Sequence, residues 1–232
     1  MKFKTTCSGH HLLFMENEVI AALKFRHACK EFNADKKISE ADFQIIIEAA
    51  RLSPSSFGLE PWKFLVVQNM ELREKIREVT WGGKKQLPTA SHLVVLLYRK
   101  AYYMRYGSEY ILNLMRNVHD IPEEGIIARS KFIEAFQKND FELMDDRALN
   151  DWASKQTYIP LANMMTAAAL MKIDSCPMEG FVNRDLEKVM SENFGIDTSK
   201  FGISAMVAFG YRINEQRPKT RQAAEEVIQW FN

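Results

Sequence analysis

Four basic residues near the two ends of the chain are the side chains best suited to chemistry, because together they could hold an anion. Arg26 and Lys30 lie near the start, and Lys219 and Arg221 lie near the end. Charge-assisted hydrogen bonds from such cations to one phosphate contribute roughly 1.5–3 kcal/mol each. By spacing alone these residues are typical of solvated surface charges, so they form a site only if the fold brings the two ends together.

The sequence contains no self-contained motif for catalysis or nucleotide binding. It has no GxGxxG, Walker, GxSxG, CxxC or HExxH pattern, and its histidines show no metal-ligand spacing. Any nucleotide must therefore be held by scattered side chains, and we expect no metal site. Cys7, Cys29 and Cys176 are odd in number and lack a zinc-binding spacing, which indicates free thiols in a reducing cytosol.

The composition is that of a globular chain and excludes several classes of protein. Of 232 residues, 47% are hydrophobic, and 31 basic residues balance 30 acidic ones to give a net charge of +1. Disorder and nucleic-acid binding are not expected, because the first needs low hydrophobicity and the second needs a clustered basic surface. The longest apolar stretch, 161–171, is far shorter than the roughly 20 residues that span a bilayer. The N-terminus lacks a signal-peptide cleavage site, so we expect a cytoplasmic protein.

Hydrophobic periodicity predicts one α+β domain, residues 17–232, after an N-terminal extension, residues 1–16, that we expect to be flexible. Apolar and β-branched runs predict strands at Trp62–Gln68, Ser91–Tyr98 and Ile203–Tyr211. Helices are predicted after Asn17, Ser39 and Asn69, and over 102–117, 122–137, 146–172 and 184–194. Pro160 should kink the long helix or divide it in two. Cys176–Gly180 is predicted to be a turn, and Glu226–Phe231 a strand or a helical turn.

Five ordered motifs resemble those of the FMN-dependent nitroreductase family, over residues 17–221. They are Arg26-His27-Ala28-Cys29-Lys30, Ser53-Pro54-Ser55-Ser56 followed by Glu60-Pro61-Trp62-Lys63-Phe64, Ala90-Ser91-His92-Leu93-Val94-Val95, Pro177-Met178-Glu179-Gly180-Phe181 and Pro218-Lys219-Thr220-Arg221. The resemblance implies a mainly antiparallel central sheet flanked by helices. It also implies a homodimer whose subunits exchange a C-terminal strand and share two FMN sites at their interface.

The resemblance gives the basic residues a role. Arg26, Lys219 and Arg221 match positions that hold the FMN phosphate, and His27 and Ala28 belong to the same cofactor-binding set. Lys30 matches a residue near the flavin pyrimidine edge, where a fixed cation stabilises the negative charge that forms on reduction. Together these side chains would replace the missing glycine-rich loop.

Two backbone segments match the family's contacts to the flavin. One is the turn formed by Pro177, Met178, Glu179 and Gly180, and the other is the loop formed by Pro54, Ser55 and Ser56. In the family, the turn lies along one flavin face, and the amide at the Glu179 position hydrogen-bonds flavin N5. The loop touches the cofactor of the partner chain. Without the resemblance, the turn would simply lead into a strand and the loop would terminate a helix.

The chain departs from the family pattern at three places. Ala28 stands where many relatives have serine, which removes a hydroxyl donor near the phosphate. The segment 82–86 replaces the usual asparagine that reads the flavin pyrimidine edge, and Gln86 or Lys84 is the candidate substitute. Phe132 and Ile133 lie in a segment that resembles the family's substrate-gating region, so they are the substrate-lid candidates.

The resemblance implies an NAD(P)H-dependent flavin oxidoreductase with a ping-pong mechanism. Hydride would pass from NADH or NADPH to FMN N5, and then to a nitroaromatic, quinone or similar flat acceptor. No side chain is assigned a proton-transfer role. Two alternatives stay open. One is another flavin chemistry on the same fold, such as reductive dehalogenation or flavin fragmentation, and the other is a non-catalytic flavin-binding redox sensor with Cys29, flanked by basic residues, as its switch.

Overall fold

A four-stranded antiparallel sheet forms the centre of the protein. The computed structural model describes residues 18–231, so the predicted extension, 1–16, lies outside the described residues. The strands are β1, Trp62–Val67; β2, His92–Arg99; β3, Asp174–Met178; and β4, Phe201–Gly210. Their order across the sheet is β1-β2-β4-β3, and every neighbouring pair is antiparallel. The predicted α+β class and antiparallel sheet are confirmed.

Helices surround this sheet. They are α1, 18–25; α2, Glu40–Arg51; α3, Met70–Glu78; α4, Gln86–Thr89; α5, Ala101–Met104; α6, Glu109–Asn117; α7, Glu123–Ala135; α8, Asp146–Leu170; α9, Asn183–Phe194; and α10, Ala224–Val227. Two predicted caps are confirmed, because the Ser39 and Asn69 side chains accept hydrogen bonds from backbone N–H groups in the first turns of α2 and α3. Among residues 18–231, no helix combines the length and hydropathy needed to cross a bilayer.

The two faces of the sheet bury different side chains, because successive strand residues point to opposite faces. α2 and α8 cover one face, where Ile46 and Met164 pack in a cluster with Val94. α3 and α9 cover the other face, where Ile76 packs in a cluster with Leu93. A third cluster lies among α5, α6, α7 and the N-terminal half of α8. The central strands are therefore buried on both sides, as their continuous apolar runs predict.

The structure corrects three predicted elements. β3 covers residues 176–178 of the segment predicted as a turn, and the chain turns only after Met178; Pro177 is tolerated in the strand because β3 is an edge strand. The predicted helix 102–117 is divided into α5 and α6 by a turn over 105–108, in which Gly107 has a φ of +69°. α8 is a single helix through Pro160, which is buried among apolar residues whose packing offsets the lost backbone hydrogen bond.

A buried ion pair fixes the end of β4 beside the start of β3. The Asp174 carboxylate accepts hydrogen bonds from the Arg212 backbone N–H (2.9 Å) and Nε (2.7 Å). Arg212 also donates to the Phe25 carbonyl (3.0 Å), and its guanidinium lies over the Phe25 ring. The last turn of α1 and the segment after β4 are thereby held at the same edge of the sheet.

Candidate functional site

A basic pocket lies beside β3, where the N-terminal and C-terminal segments of the described chain meet. Its volume is about 320 Å³, and it gathers six predicted site residues: Arg26, His27, Ala28, Pro177, Lys219 and Arg221. Arg217 lines it as well. Arg217 is not among the predicted site residues, although its charge beside Pro218 of the last motif could have indicated it. The fold therefore brings together basic residues that are almost 200 positions apart in the sequence.

Backbone contacts at the outer edge of β3 position one wall of the basic pocket. The Arg26 N–H donates to the Ala22 carbonyl (3.0 Å) at the end of α1. Ala28 then forms a parallel bridge with Ser175 of β3, and the Cys29 N–H donates to the Ser175 carbonyl (3.1 Å). The segment after α1 thus runs along the edge of β3 and carries Arg26 into the pocket.

Lys219 joins the C-terminal segment to the end of α1. Its ammonium donates to the Leu23 carbonyl (2.5 Å) and to the Arg26 carbonyl. Carbonyls in the last turn of a helix lack helical partners and carry partial negative charge, so a lysine there stabilises the helix end. These two bonds use two of the three ammonium N–H groups and leave one for a ligand.

The basic pocket concentrates positive charge. Burial and the neighbouring Arg221 lower the pKa of Arg26. Burial, followed by the charges of Arg26 and Arg221, lowers the pKa of Lys219. Among the described residues, no acidic side chain lines the pocket. An anion bound there would relieve this repulsion, so the pocket is suited to a phosphate.

His27 adds a polar atom to the same wall. Its Nδ1 is hydrogen-bonded to the Phe25 carbonyl (2.9 Å). Its Nε2 is buried and has no hydrogen-bond partner within residues 18–231. Buried polar atoms are seldom left unpaired in folded proteins, so this nitrogen indicates a ligand contact.

Glu179 directly follows β3 at the same edge of the sheet. Alternate residues of an edge strand direct their N–H groups outward. Ser175 faces the segment after α1 and Pro177 has no N–H, so we expect the N–H of Glu179 to be the next one directed outward. No acceptor in the described part of the chain receives this N–H. The amide predicted to contact flavin N5 is therefore available to a ligand.

Two glycines hold the turn after β3 by close approach. The Gly82 N–H donates to the Gly180 carbonyl (2.7 Å), and the Val182 N–H donates to the Val79 carbonyl (3.1 Å). A Cβ on Gly180 would lie 2.8 Å from the Cα of Gly82, and a Cβ on Gly82 would lie 2.9 Å from the Cα of Gly180. Only glycine fits at both positions. The sequence indicates a break at Gly82 but gives no sign of this contact.

Tyr158 of α8 contacts the same turn. Its hydroxyl donates to Glu179 Oε1 (2.8 Å) and lies 3.4 Å from the Ser204 carbonyl oxygen of β4. Burial, followed by the hydrogen bond to Glu179, raises the pKa of Tyr158 to about 12. Tyr158 is not among the predicted site residues, because this contact joins two elements that share no local motif.

Three further candidates near the flavin pyrimidine edge lie outside the basic pocket. Lys30 is exposed. Gln86 is buried, and its amide nitrogen donates to the Gly82 carbonyl (3.2 Å), so it lies next to the turn after β3. The Lys84 ammonium instead donates to the Arg77 carbonyl (2.8 Å) at the end of α3. Of the two predicted substitutes for the family's asparagine, Gln86 therefore lies nearer the Glu179 turn.

The loop that contains Pro54, Ser55 and Ser56 is held by α8 and does not line the basic pocket. Asn163 Nδ2 donates to Ser53 Oγ (2.8 Å), and Gln156 Oε1 accepts from the Ser56 N–H (2.9 Å). The resemblance assigns this loop to the cofactor of a partner chain, so its role stays a prediction.

The two substrate-lid candidates have opposite environments. Ile133 is fully buried in the third cluster, so its side chain is a core residue and does not face a substrate. Phe132 is 62% exposed and packs edge-to-face on Phe57, with 5.8 Å between the ring centroids. Phe57 directly follows Ser56. Of the two lid candidates, Phe132 is therefore the one that lies near the predicted cofactor loop.

Cys29 and Cys176 are both free and buried. Burial raises the pKa of Cys29 to about 11, and burial also raises the pKa of Cys176. Reactive cysteines are accessible and carry a lowered pKa, whereas these thiols stay protonated near neutral pH. The alternative that makes Cys29 a redox switch therefore finds no support in its environment.

The fold and the site define an α+β protein with a basic pocket, suited to an anion, at the edge of an antiparallel sheet. Residues 23–211 match the Nitroreductase family. The chain belongs to this family, which confirms the resemblance drawn from the five motifs.

Similar proteins cover nearly the whole chain. It is 52% identical over 220 residues to "Putative NAD(P)H nitroreductase YfkO" of Bacillus subtilis, covering 93% of this chain and 98% of that protein. It is 50% identical over 218 residues to "Putative NAD(P)H nitroreductase SH0546" of Staphylococcus haemolyticus, covering 94% and 99%. The solved nitroreductase from Exiguobacterium sibiricum in complex with FMN shares the fold, with a TM-score of 0.74 and 19% identity over 92% of this chain and 97% of that one.

Proposed function

We propose that the chain is an NAD(P)H-dependent FMN oxidoreductase that passes hydride through flavin N5 to nitroaromatic, quinone or similar flat acceptors by a ping-pong mechanism. The observation that carries this proposal is the convergence of Arg26, Lys219 and Arg221 in a pocket whose described lining has no acidic residue. The names of the close relatives and the FMN complex of a structural neighbour support it.

The donor set of the basic pocket fits an FMN phosphate. The guanidinium groups of Arg26 and Arg221 present several N–H donors, and Lys219 keeps one after its bonds to α1. The unpaired Nε2 of His27 adds a further polar contact. Guanidinium groups bind phosphate in a bidentate manner, so these residues fix both the position and the orientation of the ligand.

The chain's own residues bind and orient the flavin, and FMN, when bound, supplies the hydride-accepting and hydride-donating N5. The N–H of Glu179 would donate to that nitrogen, and Pro177, Met178 and Gly180 would form the wall along one flavin face. Lys30 would stabilise negative charge at the pyrimidine edge. The absence of a GxGxxG fingerprint agrees with a nicotinamide that stacks on the flavin only transiently.

We also infer a homodimer in which the C-terminal segments are exchanged. β1 is an edge strand: it pairs with β2 on one side, and its outer side has no strand partner among residues 18–231. Beside it, a groove of about 740 Å³ is lined by Phe43 of α2 and Val66 of β1. The C-terminal segment exposes Trp230 and Phe231, which are 81% and 87% accessible. Exposed aromatic residues of this size usually mark an interface, and a second chain would bring both groups together.

The first experiment is the visible spectrum of the purified protein, followed by anaerobic addition of NADH or NADPH and then of menadione. We expect a yellow protein that one nucleotide bleaches and the acceptor restores. A yellow protein that neither nucleotide bleaches would contradict the reductase and favour dehalogenation, flavin fragmentation or sensing. A protein that takes up no added FMN would contradict the assignment of FMN as the cofactor.

A further inference from the structure

The turn after β3 is held from two sides. On one side, Gly82 donates to the Gly180 carbonyl and Val79 accepts from the Val182 N–H. On the other side, the Tyr158 hydroxyl donates to the carboxylate of Glu179 at 2.8 Å. The Glu179 peptide therefore lies between a backbone contact and a side-chain contact that come from different elements.

We infer that Tyr158 is a positioning residue: through the Glu179 carboxylate, its hydroxyl fixes the peptide whose N–H faces the proposed flavin N5. The inference rests on the proposed function and deepens it, because it assigns control of that N–H to a residue of α8. Tyr158 itself is separated from the N–H by the whole Glu179 side chain, so it acts through Glu179.

Tyr158 is well suited to hold the turn, because its own position is fixed. It projects from α8, a helix of 25 residues that packs on the sheet. One helical turn earlier, Ser154 Oγ is hydrogen-bonded to Ser204 Oγ of β4 (3.1 Å). A tyrosine has only two side-chain torsions to order, so it holds a partner at a small entropic cost.

Glu179 needs such a partner. It is an exposed residue, and its carboxylate has no ion pair within 18–231; Tyr158 is its hydrogen-bond donor. The turn has one short-range bond of its own, from the Phe181 N–H to the Glu179 carbonyl (2.8 Å). Hydrogen bonds to charged groups are stronger than neutral ones. Loss of the Tyr158 hydroxyl should therefore loosen the Glu179 peptide while the glycine contact still holds Gly180.

The first test uses the protein without cofactor and measures hydrogen exchange at the Phe181 N–H, which is protected by its bond to the Glu179 carbonyl (2.8 Å). We expect Tyr158→Phe to speed exchange there by about tenfold, the loss of one hydrogen bond. Glu179→Gln keeps an acceptor oxygen and should exchange like the wild type, whereas Glu179→Ala should match Tyr158→Phe. Tyr102→Phe, which alters a tyrosine that is 77% exposed on α5, is the matched control. Unchanged exchange in both Tyr158→Phe and Glu179→Ala would overturn the inference.

The second test uses the FMN-loaded protein and measures reduction by NAD(P)H in a stopped-flow instrument. We expect Tyr158→Phe and Glu179→Ala each to slow flavin reduction by about tenfold with FMN affinity unchanged, and Tyr102→Phe to be reduced like the wild type. The double variant Tyr158→Phe with Glu179→Ala should be no slower than either single variant, because both remove one coupling. Additive losses, or a loss only in FMN affinity, would overturn the inference.

Failure of the proposed function can be distinguished from failure of the positioning role of Tyr158. If the wild type takes up no FMN or is not reduced, the proposed function fails, and the exchange experiment still decides whether Tyr158 holds the turn. If the wild type is reduced but Tyr158→Phe is reduced at the same rate, the proposed function stands and the positioning role fails.

Discussion

Asp174 and Arg212 form the contact that brings the two walls of the basic pocket together. Asp174 begins β3, and its carboxylate takes both the backbone N–H and the Nε of Arg212, which follows β4. Arg212 in turn binds the Phe25 carbonyl, one residue before Arg26. The position of Arg26 therefore depends on an ion pair between two residues that do not line the pocket.

Asp174→Asn should destabilise the protein by about 2–3 kcal/mol, because it leaves the Arg212 guanidinium, only 21% exposed, without its counter-charge. Urea unfolding monitored by tryptophan fluorescence measures this difference. Asp151→Asn is the matched control: its carboxylate is 66% exposed and lies 3.8 Å from Arg147, so we expect a change below about 1 kcal/mol. Equal effects of the two substitutions would contradict the structural role of Asp174.

Gly180→Ala should destabilise the protein by about 1–3 kcal/mol, because the new Cβ meets the backbone of Gly82 and the turn must shift. Thermal unfolding checks this. Gly125→Ala in α7 is the comparison: its Cβ would lie 2.8 Å from Cγ2 of Ile121, so that side chain must shift, but alanine favours the helix and offsets part of the cost, and we expect a smaller loss than for Gly180→Ala. A Gly180→Ala variant as stable as the wild type would show that the turn adjusts freely.

The sequence predicts the interior of the fold well, because buried strands and amphipathic helices are local patterns. β1, β2 and β4 lie within one or two residues of their predicted bounds. β3 was not recognised, since Pro177 argues against a strand and only its place at the edge of the sheet makes it acceptable.

The site was predictable only in part. The resemblance supplied six residues of the basic pocket, and the fold brings them together. Contacts across long sequence separations could not be read from the chain: the Asp174–Arg212 pair, the Gly82–Gly180 approach and the Tyr158–Glu179 bond. Ile133 was assigned to the lid on the resemblance, but helix packing turns its side chain into the core.

Below neutral pH, His92 should make the protein less stable. Burial, followed by the charges of Arg73 and Lys37, lowers the pKa of His92 to about 4, and its ring stacks on Phe43 at 3.8 Å. The unfolded chain, with an ordinary histidine pKa, binds a proton in this range and the folded chain does not. The free energy of unfolding therefore carries no penalty from His92 above about pH 6.5, and it decreases as the pH falls from there towards 4.

The loss attributable to His92 should be roughly 2 kcal/mol, because partial solvent access reduces the effect of a shift of this size. Urea unfolding of the wild type and of His92→Gln between pH 7 and pH 4.5 measures it. We expect the difference in unfolding free energy between the two proteins to shrink as the pH falls. A constant difference would contradict the lowered pKa.

Arg221→Gln should weaken FMN binding by about 10- to 100-fold, since it removes one charge-assisted contact to the phosphate. Arg221 is preferable to Lys219 for this test, because Lys219 also holds the end of α1. FMN fluorescence quenching on titration of the apoprotein measures the affinity. Arg184→Gln, an exposed position in α9, is the control and should bind FMN like the wild type.

The double variant Lys219→Ala with Arg221→Ala should lose the flavin on purification. Full flavin occupancy in the purified double variant would refute the phosphate assignment.

Trp230→Ala together with Phe231→Ala should weaken the proposed dimer at least about 30-fold, which is the effect of losing a single aromatic anchor of about 2 kcal/mol. Both side chains are more than 80% exposed in the single chain. Light scattering after size-exclusion chromatography, over a range of protein concentrations, measures the association. Val118→Ala, which shortens a 62% exposed apolar side chain after α6, should leave it unchanged. If the double variant dimerises like the wild type and still binds FMN, the C-terminal segment does not form the interface, and the groove beside β1 must be covered by something else.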